Sequence, residues 1–374
     1  MPSICLCMIV KNEAEFLARC LASVRDVIDY WVICDTGSTD STQDLVRREM
    51  AGVPGELFEH EWVDFGSNRT RSVQLARGKA DYLLVVDADS KLEVEQGALD
   101  ALTADAYALC HLDEVSRGYR TCLVRGDLDW HYVGTLNSYI DSRSQYAIEL
   151  LDGARVRSWS IGGARSGRHK NELKLLERAH EQDPANSRTV FYLAQTHRHV
   201  GNVDAAIDMY DRRVAMGGWD EEVFFAMLQA AVLRAEQGEW SASKAGLVAA
   251  WEFRPSRTEP LYELASRLRL RGEHHAAYQF ALRGLGQPVP RDLLCVSPWM
   301  YEWGLPFEYS VSAYWVGDIQ GSLEACQRLL AIPDLPDDYR QSTKQNMGFC
   351  VRKLAKVPPL PAARARPRKR TGRA

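Results

Sequence analysis

Nowhere in the 374-residue chain does an apolar run approach the roughly 20 residues that cross a bilayer, so no membrane span is expected. The first residues, MPSICLCMIVKNEAEF, lack a positive lead before their apolar segment and meet charge at Lys11. That argues against a secretory leader and leaves a first strand as the reading. Paired cysteines are missing too. Nine cysteines, an odd number scattered from Cys5 to Cys350 without a CxxC, support neither a disulfide framework nor a structural zinc. A reducing, cytoplasmic setting is expected. Strong charge imbalance is also absent, since a formal charge of −4 names no partner, although it conceals a basic C-terminal stretch. An apolar content of 46% with 26% charged residues describes a soluble globular protein, and the length exceeds one ordinary core, so two domains are expected.

The stretch DYLLVVDADS is the most informative. Leu83, Leu84, Val85 and Val86 form an apolar run without an internal polar residue, which reads as a strand buried on both faces. Asp87 and Asp89 therefore emerge where that strand leaves its sheet. Upstream, SICLCMIV reads as a strand and KNEAEFLARCLASVRDVID as an amphipathic helix. WVICDTGSTDSTQDLVRREM repeats the logic, with Asp40 or Ser41 placed to cap the second helix. LFEHEWVDF and SNRTRSVQLARGKA supply a third strand and helix. Strands alternating with helices imply parallel pairing and a ligand crevice at the strands' carboxyl ends.

Four polar clusters fall at those ends: Lys11, Asn12 and Glu13; Asp35 to Asp40; Asn68, Arg69 and Arg71; and Asp87 with Asp89. Together they suit a ligand carrying donors, acceptors and negative charge. The arginines fit phosphate oxygens, Asp35 fits the imide and hydroxyls of a nucleoside, and the aspartate pair fits a divalent cation bridging a diphosphate.

CMIVKNEAEFLARCLASV, ICDTGSTDST, DFGSNRTRS and VVDADS, in this order and spacing, resemble the family 2 glycosyltransferases. The resemblance is strong over residues 3 to 95 and loose to about 160. It implies an α/β GT-A fold with a mostly parallel, Rossmann-like sheet, and a nucleotide diphosphate sugar as donor. Lys11, Asn12, Glu13, Asp35 and Gly37 would hold the nucleoside, with Arg69 approaching its phosphates. Asp87 and Asp89 would be the DxD pair that binds donor and metal, Mn²⁺ or Mg²⁺, and transfer would invert the sugar's anomeric centre. Downstream, Trp130, Tyr132, Gly134 and Tyr139 fit a family frame of the form W-x-Y-x-G followed by His-Glu-Tyr, whereas Asn137 and Ser138 stand at the His and Glu positions. Ser90 also follows the DxD pair where the family often has Glu. These departures point to altered metal dependence, another donor, or lost activity.

A base must take the acceptor's proton. Asp113, Glu114, Asp127, Asp129 and His131 are available, and Asp129 ranks first, beside Trp130 as an aromatic support for a sugar ring, with Asp113 second. Trp130, Tyr132 and Asn137 make up the expected acceptor-side support.

From about residue 168 the pattern becomes helical, with turn glycines Gly201, Gly238 and Gly272 separated by 37 and 34 residues. This resembles tetratricopeptide repeats, whose period is about 34 residues and whose concave face takes peptides. Phe191, Tyr192, Leu193, Phe224, Phe225 and Trp251 fall at helical spacing and read as core. VPRDLLCVSPWMYEWGLPFEYS interrupts the repeat and reads as a cap docking back on the first domain, or as a lining for the acceptor cleft. The expected organisation is a GT-A domain over residues 1–162, an all-α repeat domain over 168–354, and a disordered basic tail over 355–374. A protein or peptide acceptor suits the repeats. The tail leaves a nucleic-acid base or another polyanion as an alternative acceptor, and the departures at Ser90, Asn137 and Ser138 leave a degenerate scaffold as a third reading.

Overall fold

The computed structural model describes residues 1–113, 116–158 and 165–355. Glu114, residues 163 and 164 of the expected 163–167 linker, and nearly all of the basic tail lie outside them. Two compact units are present: Met1–Pro260 with Pro288–Trp299, and Leu261–Gln287 with the chain from Met300 onward.

The first unit is built on an eight-stranded sheet. Four strands, β1 (Ile4–Val10), β2 (Tyr30–Asp35), β3 (Gly55–Glu59) and β4 (Tyr82–Val85), pair in parallel in the order β3-β2-β1-β4. The sheet continues through β7 (Arg117–Arg125), β6 (Ala106–Leu112), β10 (Ile148–Ser158) and β5 (Ser90–Val94). β7 runs antiparallel between β4 and β6. The parallel half thus brings the carboxyl ends of β1, β2, β3 and β4 to one edge of the sheet, and β7 inserts antiparallel beside them. A separate hairpin pairs β8 (Trp130–Val133) with β9 (Tyr139–Ser142).

Side-chain alternation along β1 explains the layering. Leu6 and Met8 join the core on the face covered by α1 (Leu17–Val24) and α2 (Thr42–Glu49), while Cys5 and Cys7 join Cys34, Val73 and Ala76 on the opposite face, covered by α3 (Phe65–Ala76). Both faces are closed, which is why these strands read as unbroken apolar runs. α1 buries Leu17, Cys20, Leu21 and Val24, the spacing of one helical stripe. Asp40 caps α2 through Thr42, whose N–H donates at 3.0 Å and hydroxyl at 2.5 Å.

α3 carries a close approach that matters for the site. Its N-cap, Asp64, accepts from the Ser67 N–H at 2.7 Å, and a Cβ at Gly66 would sit 2.1 Å from the Gly134 carbonyl oxygen. Glycine at 66 therefore lets the turn between β8 and β9 lie against the helix start. Gly66→Ala is expected to destabilise the protein by about 1–3 kcal/mol, read by urea unfolding, because backbone must move to admit the methyl.

The helical region begins within the first unit. α4 (Arg165–Gln182), α5 (Ser187–His199), α6 (Val203–Met216), α7 (Asp220–Glu236) and α8 (Trp240–Phe253) stack in sequence. Phe191, Phe224 and Leu193 are buried between them, as the helical spacing predicts. In the second unit α9 (His274–Gly284), α10 (Leu305–Val316), α11 (Ile319–Leu330) and α12 (Asp337–Leu354) stack likewise. The turn glycines Gly201, Gly238, Gly272 and Gly317 all have positive φ, between 79° and 95°, which L-residues with a Cβ rarely adopt. The repeat spacing seen in the sequence is thus the spacing of left-handed helix ends. No helix among the described residues is long and apolar enough to cross a membrane.

Segment 288–299 docks back onto the sheet. Arg117 and Val296 exchange backbone hydrogen bonds at 2.8 and 2.7 Å, and the Tyr119 N–H donates to the Leu293 carbonyl at 2.9 Å. This short strap covers the free edge that β7 keeps beyond the end of β4.

Candidate active site

The loops after β1 and β2 form one latched wall. Asn12 adopts a left-handed backbone with φ of 56°, its N–H donates to Ser38 Oγ at 2.9 Å, and its Oδ1 accepts from the Thr39 N–H at 2.8 Å. The Glu13 N–H donates to Thr42 Oγ1 at 2.8 Å. Lys11 is exposed, with its ammonium 5.8 Å from the Trp62 ring centroid. Asp35 ends β2 and is only 1% exposed. Its Oδ1 accepts from the N–H groups of Gly37 and Ser38 at 2.9 and 2.8 Å, a tight turn for which Gly37 supplies a φ of 97°. Its Oδ2 is buried with no hydrogen-bond partner among the described residues. An unsatisfied buried carboxylate oxygen costs free energy unless a ligand donates to it.

The second wall is electrostatic. Arg69, on the first turns of α3, lies near the rings of Phe65 and Tyr132 at 5.6 and 5.7 Å, and its Nη2 donates to Asp87 Oδ1 at 2.5 Å. The guanidinium holds the Asp87 carboxyl below the usual carboxylate range, with Arg120 adding to the effect. Asp87 is therefore ionised throughout neutral pH. Asp89 follows on the same turn, half-buried, and the Ser90 hydroxyl lies 3.5 Å from its Oδ1. Arg71 faces elsewhere and lines a cavity of about 620 Å³ beside Thr70 and Gly134. α3 thus sends its two arginines to different places.

His111, Arg120 and Cys122 were not singled out by the motifs, yet they stand beside Asp87. β7 runs antiparallel beside β4, with Leu84 facing Leu123, and Arg120, also on β7, is close enough to lower the pKa of Asp87. His111 Nε2 lies 3.0 Å from Cys122 Sγ, and burial, with the Arg120 charge, pushes its pKa down to about 3. The imidazole is neutral. Only the sequence offset across the β6–β7 hairpin could have signalled this group, and the offset includes an irregularity between Tyr107 and Ala108.

The expected acceptor-side residues separate. Asp113 ends β6 on the same edge of the sheet as Asp87, where it accepts from the N–H and hydroxyl of Ser116, both at 2.6 Å. Asp129 lies at the other edge, with Arg77 at 3.5 Å and Arg143 at 3.8 Å. Arg77 follows the last turn of α3, about 12 Å along the helix axis from Arg69, so the structure does not bring Asp129 to the aspartate pair. Trp130 is 2% exposed, stacks edge-on with Tyr146 at 4.8 Å and donates from Nε1 to the Arg125 carbonyl at 2.7 Å. Its ring is core, and no face is open to a sugar. Tyr132 lies beside Arg69, its N–H bonded to Thr70 Oγ1 at 2.8 Å, and burial pushes its phenol pKa well up. Asn137 is exposed in the β8–β9 turn, next to Ser138, whose hydroxyl lies 3.5 Å from Arg69 Nη1.

The donor set at the aspartate turn is oxygen only. No group of three or more His, Cys, Asp or Glu that could hold a metal ion occurs among the described residues. Two carboxylates on one turn fit a hard cation that takes its remaining ligands from phosphate and water.

A mostly parallel α/β sheet with acidic and basic groups gathered at its carboxyl edge, followed by stacked helix pairs, defines a GT-A-like domain joined to tetratricopeptide-like repeats. Residues 5–113, which carry β1 to β6, match the family model described as glycosyl transferase family 2. A TPR repeat-containing protein of Synechococcus elongatus is 42% identical over 96 residues, which cover 25% of this chain and 22% of that protein. The SPbeta prophage-derived glycosyltransferase SunS of Bacillus subtilis is 26% identical over 148 residues, covering 39% of this chain and 32% of SunS. The chain thus spans between about a fifth and a third of the length of these curated relatives. A crystal structure of S. aureus TarS in complex with UDP-GlcNAc aligns with 67% of this chain and 91% of that one, at 14% identity and a TM-score of 0.37.

Proposed function

We propose that this chain is a glycosyltransferase that moves a sugar from a nucleoside diphosphate sugar to a macromolecular acceptor, a protein or peptide, with inversion. The observation that carries the reading is the orphaned Oδ2 of Asp35, a buried acceptor at the carboxyl edge of β2 in the region matched to family 2. It suits the imide N–H of a base such as uracil and rejects cytosine, whose corresponding nitrogen is itself an acceptor. Lys11, Asn12, Glu13 and Gly37 shape the wall around the nucleoside. Arg69 and Arg120 face the diphosphate. Asp87 and Asp89 would hold Mn²⁺ or Mg²⁺, which when bound supplies positive charge against the leaving diphosphate. Of the two carboxylates expected to take the acceptor's proton, Asp113 follows β6 at the edge of the sheet that carries Asp87 and is the one assigned that role.

Calorimetry against nucleoside diphosphates with Mn²⁺ tests this. Uridine diphosphate is expected to bind and cytidine diphosphate to fail, and Asp35→Asn should weaken binding by about ten- to a hundredfold through loss of a charge-assisted hydrogen bond. If no nucleoside diphosphate binds the wild-type chain, the transferase reading falls and a repeat scaffold carrying a vestigial sugar-nucleotide fold takes its place.

A further inference from the structure

The turn that carries Asn137 and Ser138 is held from two sides. Asn137 has a φ of 52°, a left-handed backbone that asparagine adopts more readily than most residues with a Cβ. Its carbonyl accepts from Arg188 on α5, at 3.3 Å from Nε and 3.1 Å from Nη2. The same guanidinium lies 4.9 Å from the Tyr139 ring and 5.1 Å from the Tyr192 ring, and its Nη1 donates to Glu222 Oε1 at 3.3 Å. Glu222 is 3% exposed and is also bonded by Arg213 Nε at 3.0 Å, and Arg213 is itself 1% exposed. Arg188 is thus anchored on a buried carboxylate between helices and reaches out to a backbone carbonyl of the rim. On the other side of that carbonyl, Ser138 meets Arg69, and Arg69 meets Asp87.

We propose that Arg188 is a positioning residue: it locks the 134–138 turn against the helical region and, through Ser138 and Arg69, sets the donor affinity of the Asp87 rim. This rests on reading that rim as the donor site. The planar fork of arginine suits the task, because one group must satisfy a carboxylate and a carbonyl while stacking between two rings. Lysine keeps the charge opposite Glu222 and loses the fork.

The test uses the full chain and two readouts. In Arg188→Lys and Arg188→Ala, hydrogen exchange of the amides of residues 134–139 should speed up by about tenfold, while that of α6 and α7 stays unchanged in the lysine variant. Uridine diphosphate with Mn²⁺ should bind about tenfold more weakly to both. A double-mutant cycle with Ser138→Ala should be non-additive, since both changes act on one turn. Unchanged exchange overturns the lock. Faster exchange with unaltered nucleotide affinity, or an additive cycle, overturns the link to the donor site. A wild-type chain that binds no nucleotide removes the donor role together with the reading it rests on, and the exchange readout then decides the lock alone.

Discussion

On the proposed role of Asp87 and Asp89 as holders of a divalent cation, Asp89→Ala is expected to lower sugar transfer by roughly a thousandfold, because such a cation would supply several kcal/mol of the barrier reduction at the leaving diphosphate. The measurement is single-turnover transfer, or hydrolysis of the sugar nucleotide, at saturating donor. Asp87 also carries Arg69, whose side chain is only 20% exposed, so Asp87→Asn removes a counter-charge as well as an oxygen. Asp87→Asn should therefore cost stability as well as activity. The sign of the pH dependence follows. The folded pKa of Asp87 is depressed, so the stabilisation from its pair with Arg69 is present above the ordinary aspartate value and is lost as pH falls through the folded one. The stability gap between wild type and Asp87→Asn should accordingly narrow in acid below about pH 4, as urea unfolding across pH would show.

The largest loss of stability is expected from Arg257→Met, about 3–5 kcal/mol, the cost of breaking a buried ion pair and leaving its partner charged. Arg257 and Glu259 are each 2% exposed and form a bidentate pair at 3.0 and 2.8 Å. The same guanidinium donates to Asp292 Oδ2 at 2.9 Å and to the Cys295 carbonyl at 2.7 Å, and it lies 4.5 Å from the Phe224 ring. Asp292 and Cys295 belong to the strap on β7, so the arginine fastens the strap as well as neutralising Glu259. Two measurements check this. Denaturant unfolding should give the loss, and hydrogen exchange at Arg117 and Tyr119 should rise, because their amides donate to Val296 and Leu293 of the strap. Adding Glu259→Met should restore part of the loss by removing the stranded charge. An Arg257→Met variant as stable as wild type would mean that the pair's desolvation cancels its attraction.

The legible and illegible parts of the site divide by the range of the interactions that form them. Asp35, Gly37, Asp87 and Asp89 were readable because each lies within a few residues of a buried apolar strand, and strand-end chemistry is local. The paired glycine spacing of the repeats was readable for the same reason, since a left-handed helix end is a property of one residue. The Arg69–Asp87 pair joins residues 18 apart across a helix and a strand, and no pattern in the chain says that Arg69 turns to the aspartates while Arg71 turns to another cavity. Asp129 and Trp130 looked like acceptor-side groups by proximity to the family frame. The chain reaches the far edge of the sheet at the end of β7, and β8 then packs against α3, which puts the carboxylate by Arg77 and the indole in the core.

By itself the sequence determined the alternation of strands and helices, the four polar clusters at strand ends, and the change to helical repeats, because periodicity and turn chemistry act over a few residues. Only the tertiary structure decided which clusters meet. Antiparallel insertion of β7 sets Arg120 beside Asp87, the docked strap closes the edge of β7, and a buried carboxylate on α7 orients Arg188 toward the turn at Asn137. Each of these depends on register or packing between segments far apart in the chain, where a shift of one residue would turn the side chain to the opposite face.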